Sequence, residues 1–338
     1  MSARLAKQAG GALTWKAIQL AGIKGIFVVR ILILARLLSP EDFGLLAIAT
    51  VTIGVLMSLT DFGMMPALVQ RPDPAEQDYH AAWIVGVIRA LAVTGVVVLT
   101  APVVAGLFGE PQAAAIIRML ALRPLLEASA SIKVADLTRN LRFRSLAFIS
   151  LPEALVNTLV SIALARALGV WALVVGTLAG SAVYVAMSYL LAPYRPRLAL
   201  DMVAARPLIR YGRWIFVTSL VAMAGSSVLQ AVISLRLGAA ELGLYFLAAK
   251  LAFLPYEVAS EVVGAVTFPL YARLRADVLQ TALAFRAIVR GMAVLLIPVH
   301  TLIIALAPSL VRNVLGPRWA GAEPVIQVLA LAGLVGLV

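Results

Sequence analysis

The chain has no cysteine, which excludes disulfides and thiol chemistry. Its two histidines, His80 and His300, stand far apart in the chain and suggest neither a paired-histidine metal site nor a catalytic triad. Charged residues are scarce, at 13% of the 338 residues, where a soluble domain carries about 25%. There is no Walker loop, no dinucleotide glycine motif and no zinc-ligand pairing. No stretch is polar enough to form a separate catalytic domain. These absences argue against an ATPase, a dehydrogenase or a hydrolase, and no cofactor is expected.

Apolar residues are abundant, at 62% of the chain, against about 45–50% in ordinary soluble domains. They fall in continuous runs about 20 residues long, the length an α-helix needs to cross a hydrocarbon core of about 30 Å. Membrane β-strands would alternate apolar and polar residues instead. The sequence therefore predicts an all-α polytopic membrane protein. Ten spans are expected: 12–35, 43–68, 81–107, 112–132, 145–165, 170–193, 214–235, 241–268, 291–308 and 322–338. The first carries Lys16, Lys24 and Arg30 and no small-residue cleavage site follows it, so a removed signal peptide is not expected.

The formal net charge is +12. With the N-terminus in the cytoplasm, only Arg36, Arg166, Arg236, Arg312 and Arg318 fall on outer turns. Most other cations fall on inner segments, as the positive-inside rule requires. The basic excess is thus explained by cytoplasmic loops, and nucleic acid is not expected as a partner.

The motif Arg36-Leu-Leu-Ser-Pro-Glu-Asp-Phe-Gly44 closes one apolar helix and opens the next. It returns as Arg236-Leu-Gly-Ala-Ala-Glu-Leu-Gly243. Trp15 precedes the first copy and Trp214 the second at similar spacing, and Pro66–Asp73 is echoed by Pro269–Asp277. This pattern predicts two parallel repeats, a plan known among secondary transporters. The expected lobes are 1–193, with six spans, and 214–338, with about four. The basic segment 194–213 would link them. The second lobe is expected to lack at least two helices, because residues 329–338 are apolar with no polar flank.

Several charges fall within spans, where ionisable groups are functional candidates. Lys16, Lys24 and Arg30 occupy an arc of about 120° on the first helix. They suggest the wall of an anion-binding cavity, or simply pairing with an acid such as Glu153. Arg89 is a lone cation that either snorkels or joins the cavity. Lys250, Glu257 and Glu261 form one narrow stripe on span eight, read either as a substrate or ion-coupling face or as an internal salt bridge. Arg123 and Glu127 form an i, i+4 pair, for which mutual neutralisation is the simpler reading.

Three stretches together resemble the polysaccharide transporter, or oligosaccharide flippase, family of the multidrug/oligosaccharidyl-lipid/polysaccharide exporter superfamily. They are Ala35–Ala47, Asp61-Phe-Gly63 through Leu68, and Gly169-Val-Trp-Ala-Leu-Val174. The resemblance implies two helical lobes facing a central cavity. It implies alternating access in the bacterial inner membrane and a lipid-linked oligosaccharide carried on undecaprenyl diphosphate. Membrane lipids and glycan polymerase or assembly proteins would be further partners. Lys24 and Arg30, with Lys16, Arg89 and Lys250, would hold the headgroup, and Glu257 and Glu261 would couple an ion. Rival readings are a drug or cation exporter of the same superfamily and a non-transporting membrane scaffold. A membrane glycan polymerase or ligase is a weaker rival, since the outer loops are too short for a catalytic domain.

Overall fold

A computed structural model of the chain describes residues 3–60, 64–71, 74–196, 228–263 and 278–335. No strand occurs among them. They fall into two compact units, Met1–Leu242 and Gly243–Val338. The expected linker 194–213 lies mostly outside the described residues. So do Asp61-Phe-Gly63, Trp214, Pro269–Asp277 and most of span seven.

The first unit is built from α1 (Ala3–Leu37), α2 (Pro40–Thr60), α3 (Met64–Gln70), α4 (Glu76–Leu107), α5 (Ala113–Leu120), α6 (Leu122–Ala128), α7 (Val134–Arg139), α8 (Phe143–Leu168), α9 (Val170–Leu191) and α10 (Val228–Leu237). α11 (Ala239–Ala252) begins in this unit. Six helices of the described residues are long and apolar enough to cross a membrane, or seven if one bent pair counts as a span. The protein is a multi-pass membrane protein.

The faces of α4 show how the lipid acts as solvent. Ala90, Val93, Val97, Ala101 and Ala105 are buried, whereas Ile88, Leu91, Leu99, Val103 and Leu107 are exposed. The buried face over this stretch is alanine and valine and most of the large side chains point outward, because backbones that approach closely gain packing while lipid is as apolar as leucine. The α8–α9 pair follows the same rule. A Cβ on Gly176 would lie 2.0 Å from Ser161 Oγ, and one on Gly180 would lie 2.9 Å from Asn157 Cβ.

Hydrogen bonds gather the helix ends at two opposite poles. At one pole Asp42, at the start of α2, meets Val170, at the start of α9. Phe108 and Glu110, after α4, meet Ser234 and Ala239. At the other pole Lys133 bonds Glu76 at 2.6 Å, Arg71 bonds Asp78 at 2.6 Å, and His80 Nδ1 lies 2.7 Å from the Tyr194 hydroxyl. The chain between 113 and 132 must therefore run from one pole to the other.

That crossing is not the single helix expected over 112–132. It is α5 followed by α6, with a break at Ala121. Pro124 has no N–H to give to the Leu120 carbonyl, which interrupts the ladder. The Thr94 hydroxyl donates to the Ala121 carbonyl at 2.8 Å, satisfying it where lipid could not.

The second unit holds the rest of α11, then α12 (Leu254–Val263), α13 (Val278–Ser309) and α14 (Ala322–Val335). Within the expected span eight, 241–268, α11 and α12 meet at a 44° bend beside Pro255, which cannot donate to the Leu251 carbonyl. α13 starts well before the expected 291. Its 32 residues span about 48 Å, more than a hydrocarbon core, so Arg286 and Arg290 extend the helix rather than form a loop. It passes into a π-helical turn, Leu310–Leu315, which ends at Gly316. Trp319 is fully buried after it. α14 packs back on α13 where Gly333 approaches the His300 ring.

Candidate functional site

α1 and α8 run side by side in the same direction. Near their starts the Arg144 guanidinium lies 5.6 Å from the Trp15 ring centroid, and Trp15 stacks on Phe148 at 6.3 Å. One turn further on, Gln19 donates to Ser150 at 2.9 Å. Beyond that contact the two helices line a cavity of about 180 Å³, whose polar lining is Arg30, Ser150, Glu153, Asn157 and Thr158. The α8 members recur at helical spacing, which puts a polar stripe on one face of a membrane helix.

Arg30 and Glu153 both line this cavity and are half-buried. Among the described residues neither makes a hydrogen bond or an ion pair. Each instead feels the charges of α6. Arg30 lies within electrostatic reach of Arg123, and Glu153 within reach of Glu127 and Arg123. Arg123 and Glu127 are bonded to each other at 2.7 Å, as their spacing predicts. The expected alternative of Glu153 pairing with a first-helix cation is realised as shared lining of one cavity, not as a salt bridge.

A second cavity, of about 260 Å³, lies between α4, α6 and α9. Arg89, Trp83, Glu127, Ser131 and Tyr184 contribute to it. Arg89 Nη1 reaches the Thr60 carbonyl at 3.4 Å. Arg89 thus turns into the bundle.

Lys16 and Lys24 lie on α1 but do not line the Arg30 cavity. Lys24 sits about 120° around the helix from Arg30, which carries it past the α8 face. In the second unit, Lys250 lies 5.8 Å from the Phe246 ring centroid on α11, while Glu257 and Glu261 are exposed on α12. The bend separates the lysine from the two acids, so the expected continuous stripe is divided. Glu153 had a sequence signal, a carboxylate inside an apolar run. Asn157 and Ser150 had only a weak one, their spacing from it.

A family described as "Polysaccharide biosynthesis protein" matches residues 33–324. The chain belongs to this family. It is 28% identical over 320 residues to the succinoglycan biosynthesis transport protein ExoT of Rhizobium meliloti (strain 1021), covering 94% of this chain and 65% of that one. It is 24% identical over 327 residues to the lipopolysaccharide biosynthesis protein WzxC of Escherichia coli (strain K12), covering 95% and 66%. The chain thus spans about two thirds of the length of these curated relatives. Among solved structures, the fold is similar to the lipid II flippase MurJ in an inward closed conformation, with a TM-score of 0.71, 14% identity, and 95% of this chain and 72% of that one covered. It is also similar to an inward-facing multidrug resistance transporter of the MATE family, with a TM-score of 0.64, 16% identity and coverage of 95% and 82%. The two-lobed helical transporter fold expected from the repeats is therefore the right class. Arg89, Glu153, Asn157 and Lys250 lie inside the family match, whereas Lys16, Lys24 and Arg30 precede it.

Proposed function

We propose that the chain acts in moving a lipid-linked oligosaccharide, carried on undecaprenyl diphosphate, across the bacterial inner membrane by alternating access. It would serve O-antigen, capsule or exopolysaccharide synthesis as a transporter and not as an enzyme. The N-terminus would be cytoplasmic, as the distribution of loop cations favours. The lobes would divide at 194–213, and glycan polymerase or assembly proteins would work beside it.

The observation that carries this reading is Arg30, a cation held inside a membrane bundle, on a polar cavity, with no acid bonded to it. A diphosphate can enter a low-dielectric region only where cations replace its hydration. Arg30 supplies the first such contact, with Lys16 and Lys24 on the same helix and Arg89 on α4. Lys250 is the headgroup ligand assigned to the second unit. Glu257 and Glu261 are assigned there to ion coupling.

The test is export complementation in a flippase-deficient bacterium. Joint replacement Lys24→Ala and Arg30→Ala is expected to abolish glycan export while the protein remains in the membrane. Export that persists undiminished refutes the cationic-wall reading. A drug or cation exporter is the second reading, favoured by Glu153 in the same cavity. It requires the chain to raise drug resistance in a pump-deficient strain.

A further inference from the structure

The α1–α8 cavity holds an arginine and a glutamate that are not bonded to each other. Arg30 stands on one wall and Glu153 on the other, with Ser150, Asn157 and Thr158 on the same side as the acid. Charged groups inside a membrane bundle are normally paired, because an unpaired one is costly there. Three kinds of occupant fail to explain the arrangement. A polyprenyl tail would leave Arg30 and Glu153 without a partner. A simple cation would meet Arg30, and a ligand that is anionic throughout would meet Glu153. One anionic group joined to a neutral body rich in hydroxyls satisfies both walls.

We propose that the α8 wall of this cavity is a sugar subsite, in which Glu153 and Asn157 bind the hydroxyls of a neutral sugar whose adjoining phosphate is held by Arg30. The assignment rests on the transport reading above and adds to it the chemistry of the first sugar. A carboxylate accepts from two hydroxyls at once, and an amide both donates and accepts. Ser150 and Thr158 extend the stripe in either direction along α8. With two carboxyl oxygens on one side chain, Glu153 is the dominant contact. At about 180 Å³ the cavity is smaller than a pocket for a drug-sized ligand, which confines the subsite to the sugar nearest the diphosphate.

The purified full chain in detergent tests this with two probes, undecaprenyl diphosphate and undecaprenyl diphosphoryl-glucose. Wild type is expected to bind the glucose-bearing probe about tenfold more tightly. Glu153→Ala and Asn157→Ala should erase that preference while holding affinity for undecaprenyl diphosphate within about twofold, which also shows that the variants fold. Glu153→Gln, which keeps an acceptor oxygen, should retain part of the preference. Arg30→Ala should weaken both probes alike. The subsite is overturned if wild type binds the two probes equally, if Glu153→Ala leaves the preference intact, or if it weakens both probes to the same degree. Wild type that binds neither probe overturns the transport reading itself, and the subsite with it.

Discussion

The Asp42 carboxylate joins the beginnings of α2 and α9, accepting from the Val170 backbone N–H at 3.0 Å across 128 residues. Its other oxygen accepts from the Ser39 N–H and hydroxyl, both at 2.9 Å, while the Asp42 N–H donates to Ser39 Oγ at 3.2 Å. Ser39 and Asp42 thus cap α2 reciprocally, with Pro40 in the first helical position, where its missing N–H costs nothing. Gly169 lies beside this carboxylate with φ +56°, a conformation in which a side chain would be strained. Asp42→Ala removes a cap and the tie to α9 together. It should destabilise the protein by about 1–3 kcal/mol, and Asp42→Asn by less. Thermal unfolding in detergent measures both, and equal Tm values for Asp42→Ala and wild type would exclude the tie.

Gly44 ends the first copy of the repeated motif and packs on the second. A Cβ there would lie 1.8 Å from the Ala239 carbonyl oxygen. That oxygen belongs to backbone and cannot turn aside. Gly44→Ala should therefore force α2 and the start of α11 apart, at a cost of about 1–3 kcal/mol. Gly95→Ala has nothing within 4 Å of its new Cβ and is the control, expected to leave Tm unchanged or slightly raised. A Gly44→Ala variant as stable as this control would show that the close approach is not maintained.

The two motif copies are capped differently. Where the first has Ser39 and Asp42, the second, in register from Arg236, has Ala239 and Leu242, which offer no side-chain acceptor. Glu110 supplies it from another part of the fold, its Oε1 taking the Ala239 N–H at 2.9 Å. Glu110→Ala should cost about 0.5–2 kcal/mol, and Glu110→Gln should recover part of that loss. Detergent unfolding curves for the pair decide it, since loss of charge alone would leave Gln and Ala alike.

The repeat, the helical class and the helix boundaries around Ser39 and Gly169 could be read from the sequence because each has a local chemical cause. The break at Ala121 could not. Pro124 signals it, but proline is common in membrane helices, and the Thr94 hydroxyl that makes the break tolerable lies on another helix. The same holds for the bend beside Pro255. Arg30 was identifiable as a charge inside an apolar run, but its distinction from Lys24 depends on which face α8 covers, a tertiary fact. Of the three stretches that carry the family resemblance, Ala35–Ala47 and Gly169–Val174 join helix ends, whereas Arg30, Glu153 and Asn157 lie outside all three.

Tyr194 follows α9 and is buried against Leu68, Tyr79, Ala82 and Ala135. Burial, aided by the nearby Tyr189 and Glu76, pushes its phenol from the ordinary 10 up to about 12. A group that holds its proton more tightly when folded contributes stability that is fully present below the unfolded value. That stability is lost as pH rises toward the folded value. Wild type should therefore lose stability progressively between about pH 10 and about pH 12 through this residue. Tyr194→Phe should be less stable than wild type at pH 7, because the hydrogen bond between its hydroxyl and His80 Nδ1 at 2.7 Å is gone. Its unfolding temperature should then fall less steeply in the alkaline window, so that the two curves converge. Parallel curves from pH 7 to pH 11 would mean that the Tyr194 phenol titrates alike in the folded and unfolded chains.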